Sequence, residues 1–213
     1  MKQVILIDGV VGAGKTTLGR ILEKELNTEL YEELTDQDTH RLLDKFYANK
    51  KRWAFTLQVH FLNKRFHMIK EIHRNNGGIL DRSIFGDRIF ASMLNEDGEM
   101  SDEEYRTYST LLDNMLEHSK NPTILIYLKC SVDKAVERIK LRNRGLEATV
   151  PIRYWERLNE KYENWYQEYD YSPKVTIDMD RIDLKNKNDR REVIDKIKKE
   201  ILLIEDHKVV AKL

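Results

Sequence analysis

Five short strand-like stretches punctuate an otherwise charged chain: Val4–Ile7, Glu29–Glu32, Gly78–Asp81, Thr123–Leu128 and Val175–Ile177. The richest of them are continuous apolar runs, which suit strands buried on both faces. Between them, apolar positions recur at helical spacing over Thr16–Leu26, Thr39–Tyr47, Arg52–Asn75, Ser101–His118, Val132–Leu141, Ile152–Glu168 and Arg190–Ile204. Strands that alternate with helices predict an α/β fold of three layers, a parallel sheet of about five strands flanked by helices. Ligands in such sheets bind outside the carboxyl ends of the strands. That rule directs attention to the polar residues after each strand: Asp8-Gly9, Glu32-Glu33, Asp81-Arg82-Ser83 and Asp178.

Composition narrows the picture. A chain of 213 residues with only three prolines and no repeat or low-complexity stretch suits one domain, 1–213. Its 37 basic and 37 acidic residues balance, so nothing in the charge points to DNA or another polyanion as partner. Cys130 is the only cysteine, which excludes an internal disulfide and fits a reducing cytoplasm. Its place near the end of an apolar strand reads as core rather than catalysis. The chain starts straight into a strand, with no basic leader, and no apolar run approaches the roughly 20 residues that span a bilayer. The six histidines lack metal-ligand spacing.

The sharpest chemical signal lies directly behind the first strand. Gly9-Val10-Val11-Gly12-Ala13-Gly14-Lys15-Thr16 fits G-x-x-x-x-G-K-[ST], with Thr17 beside it at the start of a helix. Glycines let such a loop fold tightly and turn its N–H groups toward phosphate oxygens. Lys15 supplies a point charge for the β/γ-phosphates, Thr16 a hydroxyl for Mg²⁺, and the helix dipole faces the same anion. The motif predicts binding of a nucleoside triphosphate, and leaves open what receives the phosphate.

Three other constellations bear on the acceptor. After the second strand, Glu32 or Glu33 offers a carboxylate that could take a proton from an attacking hydroxyl. Neighbours on a strand face opposite ways, so only one of the two is expected to serve, and Glu33 is favoured. Asp81-Arg82 places a Mg²⁺-binding carboxylate beside an arginine suited to developing charge. Arg138, Arg142 and Arg144 follow a spacing that could close over a triphosphate as an arginine lid at about 138–150, with Gly145 as a hinge. The aromatic stripe of Trp155, Tyr162, Trp165, Tyr166 and Tyr169 reads as packing.

Taken together, these segments resemble the deoxynucleoside kinase family, in particular its small bacterial deoxyadenosine/deoxycytidine members, from the phosphate loop to about Trp165. The resemblance implies a P-loop NTPase fold, Mg²⁺ with ATP as phosphate donor, a deoxynucleoside acceptor in nucleotide salvage, and a homodimer packed through helices. By the same resemblance Glu33 is the base that deprotonates the sugar 5′-hydroxyl. Asp81 then lies near Mg²⁺ and Arg82 near the reacting groups. Gln58 pairs with the nucleobase, Tyr47 and Glu147 hold the 3′-hydroxyl, Arg65 and Asp87 form a polar pair at the far edge of the base, and Phe90 stacks on it. The nucleoside is expected between the Arg52–Asn75 helix and the segment 81–90. Leu34 stands where many relatives carry a proline after the base.

Arg65 and Asp87 also allow a physical argument about selectivity. A guanidinium only donates hydrogen bonds and a carboxylate only accepts them. Adenine and cytosine each offer an amino donor beside a ring-nitrogen acceptor. Guanine offers two acceptors on that edge, and thymine an acceptor where the carboxylate needs a donor. The expected order is deoxyadenosine and deoxycytidine, then deoxyguanosine, with thymidine last. Two rivals stay open on the motifs alone: a thymidylate kinase-like enzyme acting on a monophosphate, and a regulatory P-loop ATPase with no nucleoside acceptor.

Overall fold

The computed structural model describes residues 3–33, 36–142 and 150–210, the side chains of 207–210 excepted. Five parallel strands form one sheet: β1 (Val4–Asp8), β2 (Leu30–Tyr31), β3 (Gly78–Asp81), β4 (Ile124–Lys129) and β5 (Lys174–Asp178), in the order β2-β3-β1-β4-β5. Register places Ile5 opposite Ile79 and Ile124, so the most apolar strands lie at the centre. Side chains alternate across the sheet. Ile5, Ile7, Ile79 and Ile126 pack on one face with α1 (Lys15–Leu26), α6 (Val132–Arg142) and α8 (Lys187–Val210). Val4, Leu6, Leu80 and Leu125 pack on the other with α3 (Lys50–Arg74), α4 (Arg88–Glu96) and α5 (Asp102–Glu117). The expected three-layer α/β architecture is present. Among the described residues, no helix is long and apolar enough to cross a membrane.

Local chemistry accounts for the element ends that matter to the site. Asp36 caps α2 (Gln37–Ala48) by accepting from the Thr39 N–H at 2.7 Å, and Ser101 and Glu104 close a capping box on α5. The aromatic stripe of α7 (Ile152–Glu168) packs as expected. Trp155, Tyr162 and Tyr169 are buried, Tyr166 stacks on Tyr127 at 4.2 Å, and Trp165 donates to the Phe85 carbonyl at 2.8 Å. Cys130 is free and buried, in keeping with a core role, and burial pushes its thiol up to about 11.

Three differences from the sequence reading bear on the site, beside shifts of one to a few residues at other element ends. The second strand is only Leu30–Tyr31, so Glu32 and Glu33 lie beyond it on a loop. The long third helix starts at Lys50, after an Asn49 side-chain cap to the Arg52 N–H, rather than at Arg52. A nine-residue helix, α4, was not anticipated; a short 3-10 turn at Ile84–Gly86 leads into it, and it carries Phe90. Arg144, Gly145 and Glu147, with most of the expected lid, lie outside the described residues, as does Leu34.

Candidate active site

The phosphate loop is built on close approach. Gly9 and Gly12 take φ of 142° and 85°, and a Cβ on either would fall 2.6 Å from the Leu128 carbonyl oxygen or 2.5 Å from that of Ala135. Only glycine fits both the space and the conformation. No side chain caps the start of α1, so its first N–H groups remain for an anion. The Lys15 ammonium, buried within the loop, donates to the Gly9 and Val10 carbonyls at 2.7 and 2.9 Å. Burial, reinforced by the nearby Arg82 charge, brings its pKa down to about 7. The Thr16 hydroxyl donates to the Asp81 carboxylate at 2.5 Å. A hydroxyl and a carboxylate in contact are the hard oxygen donors that Mg²⁺ favours, so the two residues fit that ion. Among the described residues no cluster of three His, Cys, Asp or Glu could hold a metal by itself. An ion here would need further oxygens from phosphates.

Asp8, at the end of β1, is wholly buried beneath this loop. Its carboxylate accepts from the Gly9 N–H at 2.9 Å and the Ser83 hydroxyl at 3.3 Å. Desolvation raises its pKa, against the opposing pull of Lys15 and Arg82. Arg138 lines the cleft and also braces it. Its guanidinium donates to the Ala13 carbonyl at 3.2 Å and the Met179 carbonyl at 3.1 Å, bracing the phosphate loop against the end of β5. Arg142, one turn on, lines the cleft and acts electrostatically on Lys15.

The opposite wall is made of side chains. Glu33 is nearly buried, with 12 % of its side chain exposed, and its carboxylate is gripped from two directions. Arg65 on α3 donates to one oxygen, and Arg82 Nε lies 3.5 Å from the other. Arg82 follows β3 with a left-handed φ of 72°, uncommon for a residue with a side chain, and its N–H donates to the Ile7 carbonyl at 3.0 Å. The turn lays its guanidinium over the Phe90 ring at 4.9 Å. Arg65 simultaneously pairs with buried Asp87, and burial lowers its own pKa to about 10. Arg65 Nε and Asp87 Oδ2 are buried without a hydrogen-bond partner. One ion pair thus holds both an unmet donor and an unmet acceptor.

The doubled glutamate resolves geometrically. Glu32 turns outward into a two-pronged pair with Arg20 at 2.8 and 3.0 Å, while Glu33 turns inward to Arg65 and Arg82. A cleft of about 1300 Å³ joins both walls. It is lined by Gly12, Gly14, Lys15, Thr16, Thr17 and Asp81 on one side, and by Glu33, Tyr47, Gln58, Arg65, Arg82 and Phe90 on the other. The Gln58 side chain makes no hydrogen bond among the described residues, although the residue is 6 % exposed. Most of the site residues read from the sequence that fall among the described positions therefore line one cleft; Gly9, Val10 and Ala13 form the loop without lining it, Val10 and Ala13 being packed in the core, and Asp87 is paired with Arg65 but does not line it. The sequence reading missed the residues between Arg181 and Arg190 that also line it, although Asp178, just before them, had been marked as a strand end.

Comparison with known proteins decides what this cleft belongs to. Residues 5–202 match the family model described as deoxynucleoside kinase. The chain belongs to the deoxynucleoside kinase family. Among its relatives, a deoxyguanosine kinase from Lactobacillus acidophilus is 41 % identical over 204 residues, 91 % of this chain and 89 % of that protein. The deoxyadenosine/deoxycytidine kinase of Bacillus subtilis is 36 % identical over 91 % of each chain. In structure, a deoxyadenosine kinase from M. mycoides solved with bound dATP matches with a TM-score of 0.80 and 30 % identity, covering 93 % of this chain and all of that one. The enzyme is a phosphotransferase with a deoxynucleoside acceptor. The expectation drawn from the motifs holds, and the two rival readings fall away.

Proposed function

We propose that this kinase transfers the γ-phosphoryl group of Mg²⁺·ATP to the 5′-hydroxyl of a deoxynucleoside, with Glu33 as the base. The observation that carries the proposal is the Glu33 carboxylate, fixed by Arg65 and Arg82 on the wall of the same cleft that holds Lys15 and Thr16. Glu33 accepts the 5′-hydroxyl proton, and the freed oxygen attacks the γ-phosphorus in line as the bond to the β-phosphate oxygen breaks. Arg82, Lys15 and Arg142, which line the cleft, are assigned to the negative charge that develops, and the resemblance assigns Arg144 the same role. Mg²⁺, held by Thr16 and Asp81 with the nucleotide, would neutralise phosphate charge. By the family resemblance, Glu147, outside the described residues, is assigned to the 3′-hydroxyl with Tyr47.

For the nucleobase, Gln58 and the Arg65–Asp87 pair supply the readout, with Phe90 as the stacking surface. A guanidinium beside a carboxylate calls for one acceptor and one donor, which adenine and cytosine present side by side. Guanine satisfies the arginine alone, and thymine frustrates the carboxylate. We therefore order the acceptors as deoxyadenosine and deoxycytidine, deoxyguanosine, then thymidine. Relatives named for deoxyguanosine, deoxyadenosine and deoxycytidine support a site in which all three fit. The family resemblance supports a homodimer, which light scattering would test, and the free, buried Cys130 supports a reducing compartment such as the cytoplasm.

The test is ADP release with Mg²⁺·ATP and each of the four deoxynucleosides and dTMP. Turnover greatest with deoxyadenosine or deoxycytidine is expected. Thymidine as best acceptor would overturn the reading of the Arg65–Asp87 pair, and turnover only with dTMP would overturn the acceptor class.

A further inference from the structure

Glu33 has an anchoring problem. It follows a strand whose only sheet pairs are Leu30 with Ile79 and Tyr31 with Leu80, so no ladder hydrogen bond fixes the backbone at the catalytic carboxylate. The carboxylate itself is held by two arginines that are also needed elsewhere, Arg65 at the nucleobase pair and Arg82 at the phosphoryl group. Something must hold the main chain while those contacts are exchanged for substrate.

Lys64 is placed to do so. Its ammonium donates to the Glu33 carbonyl at 2.5 Å and to the Asp36 carboxylate, and lies 3.4 Å from the Thr39 hydroxyl. Asp36 in turn caps α2, the helix that carries Tyr47, and also accepts from the Thr39 hydroxyl at 2.9 Å. The hydrogen bond from Lys64 is the main cause that holds the Asp36 carboxyl well below the usual carboxylate range. His60 completes the cluster through the Thr39 hydroxyl at 2.9 Å. Lys64 itself is not among the residues that line the cleft, and 18 % of its side chain is exposed.

We infer that Lys64 is a positioning residue for Glu33, tying the backbone of the base to the start of α2 while its chain neighbour Arg65 orients the carboxylate. Both residues project from the same turn of α3, so one helix sets main chain and side chain of the base together. The inference rests on Glu33 as the proton acceptor. It assigns Lys64 an effect on turnover rather than on substrate affinity, because a base displaced by a fraction of an ångström still leaves the nucleoside pocket intact.

A double-mutant cycle tests this, with kcat, the deoxyadenosine KM and the melting temperature measured for Lys64→Met, Glu33→Gln and the pair. Lys64→Met keeps the aliphatic stem and removes the charge. Its kcat should fall by about tenfold or more, with KM changed by less than about threefold. In the Glu33→Gln background the same substitution should cost nothing further, because the group it positions is already gone. Lys64→Arg should recover part of the lost kcat. An equal loss in both backgrounds would overturn the inference and leave Lys64 a purely structural residue, as would wild-type kcat in Lys64→Met. Near-normal turnover of Glu33→Gln is a separate result, which would overturn the base assignment on which the inference stands. If Lys64→Met does not fold, Asp36→Asn takes its place in the cycle. It keeps the cap to Thr39 and weakens the anchor, and the same non-additivity is expected.

Discussion

On the side of the cleft proposed for the phosphate donor the chain works with backbone; on the side proposed for the acceptor it works with side chains. The phosphate loop is one contiguous segment. Gly9 and Gly12 press against the carbonyls of Leu128 and Ala135, and the Lys15 ammonium binds the loop's own carbonyls. The acceptor wall draws Glu33, Gln58, Arg65, Arg82, Asp87 and Phe90 from four separate parts of the chain and holds its charged members by ion pairs. Triphosphate is common to every donor, so a rigid cradle of N–H groups suffices for it. Nucleosides differ only at their edges, so discrimination requires side-chain donors and acceptors, and these are left partly unmet. The donor half should therefore be intolerant of added atoms, and the acceptor half intolerant of removed partners.

The largest expected break is on the acceptor side. Asp87→Ala removes one partner of a buried guanidinium, which should cost about 3–5 kcal/mol of stability by thermal or urea unfolding. In the same variant the thymidine-to-deoxyadenosine ratio of kcat/KM should rise, because the acceptor that thymine could not satisfy is gone. An unchanged unfolding midpoint would mean that the pair does not organise this wall. On the donor side, Lys15→Met should lower kcat by about 10²–10³-fold, the usual loss for one charge-stabilising donor. Deoxynucleoside affinity, measured without ATP, should stay near wild type; a parallel loss of that affinity would show that the two halves are not separable.

Gly12→Ala comes next. The new methyl would have to tolerate a φ of 85° and a carbonyl oxygen 2.5 Å away, for a cost of about 1–3 kcal/mol in unfolding free energy. The smallest effect is a gain. Asp8 titrates higher in the folded enzyme than in the unfolded chain, so the folded state keeps its proton to higher pH. The wild type loses stability as pH rises through that window. Asp8→Asn, which can still accept from the Gly9 N–H, should be the more stable protein at pH 7. Its advantage should vanish below the ordinary carboxylate range, where Asp8 is protonated in both states. A stability difference that does not change with pH would contradict this account of the buried carboxyl.

The same contrast explains what could be read from the sequence. The donor loop was legible because its chemistry is local: every residue of the cradle lies in one contiguous stretch behind an apolar strand. The central strands were legible because burial on both faces leaves uninterrupted apolar runs. Helix α4 was not, and the reason is conformational. Asp87 stands at its N-cap position but makes no capping bond, and with φ −66° and ψ −27° it continues the preceding 3-10 turn instead of opening a helix from extended backbone. Arg138 shows a different limit. Its spacing from Arg142 set a shared helix face, but not that its guanidinium would also reach the Ala13 and Met179 carbonyls. Lys64 gave no signal at all, since a lysine one residue before a functional arginine on a long helix looks like solvated surface. Only the fold brings it to the Glu33 carbonyl.

The most direct measurement is of Glu33→Gln, with deoxyadenosine affinity by calorimetry and kcat by ADP release on the same preparation. The account predicts affinity within a few-fold of wild type and a kcat lower by about 10²–10⁴-fold, the range for loss of a general base. Near-normal kcat in a variant that binds deoxyadenosine normally would contradict it and remove Glu33 from the chemical step.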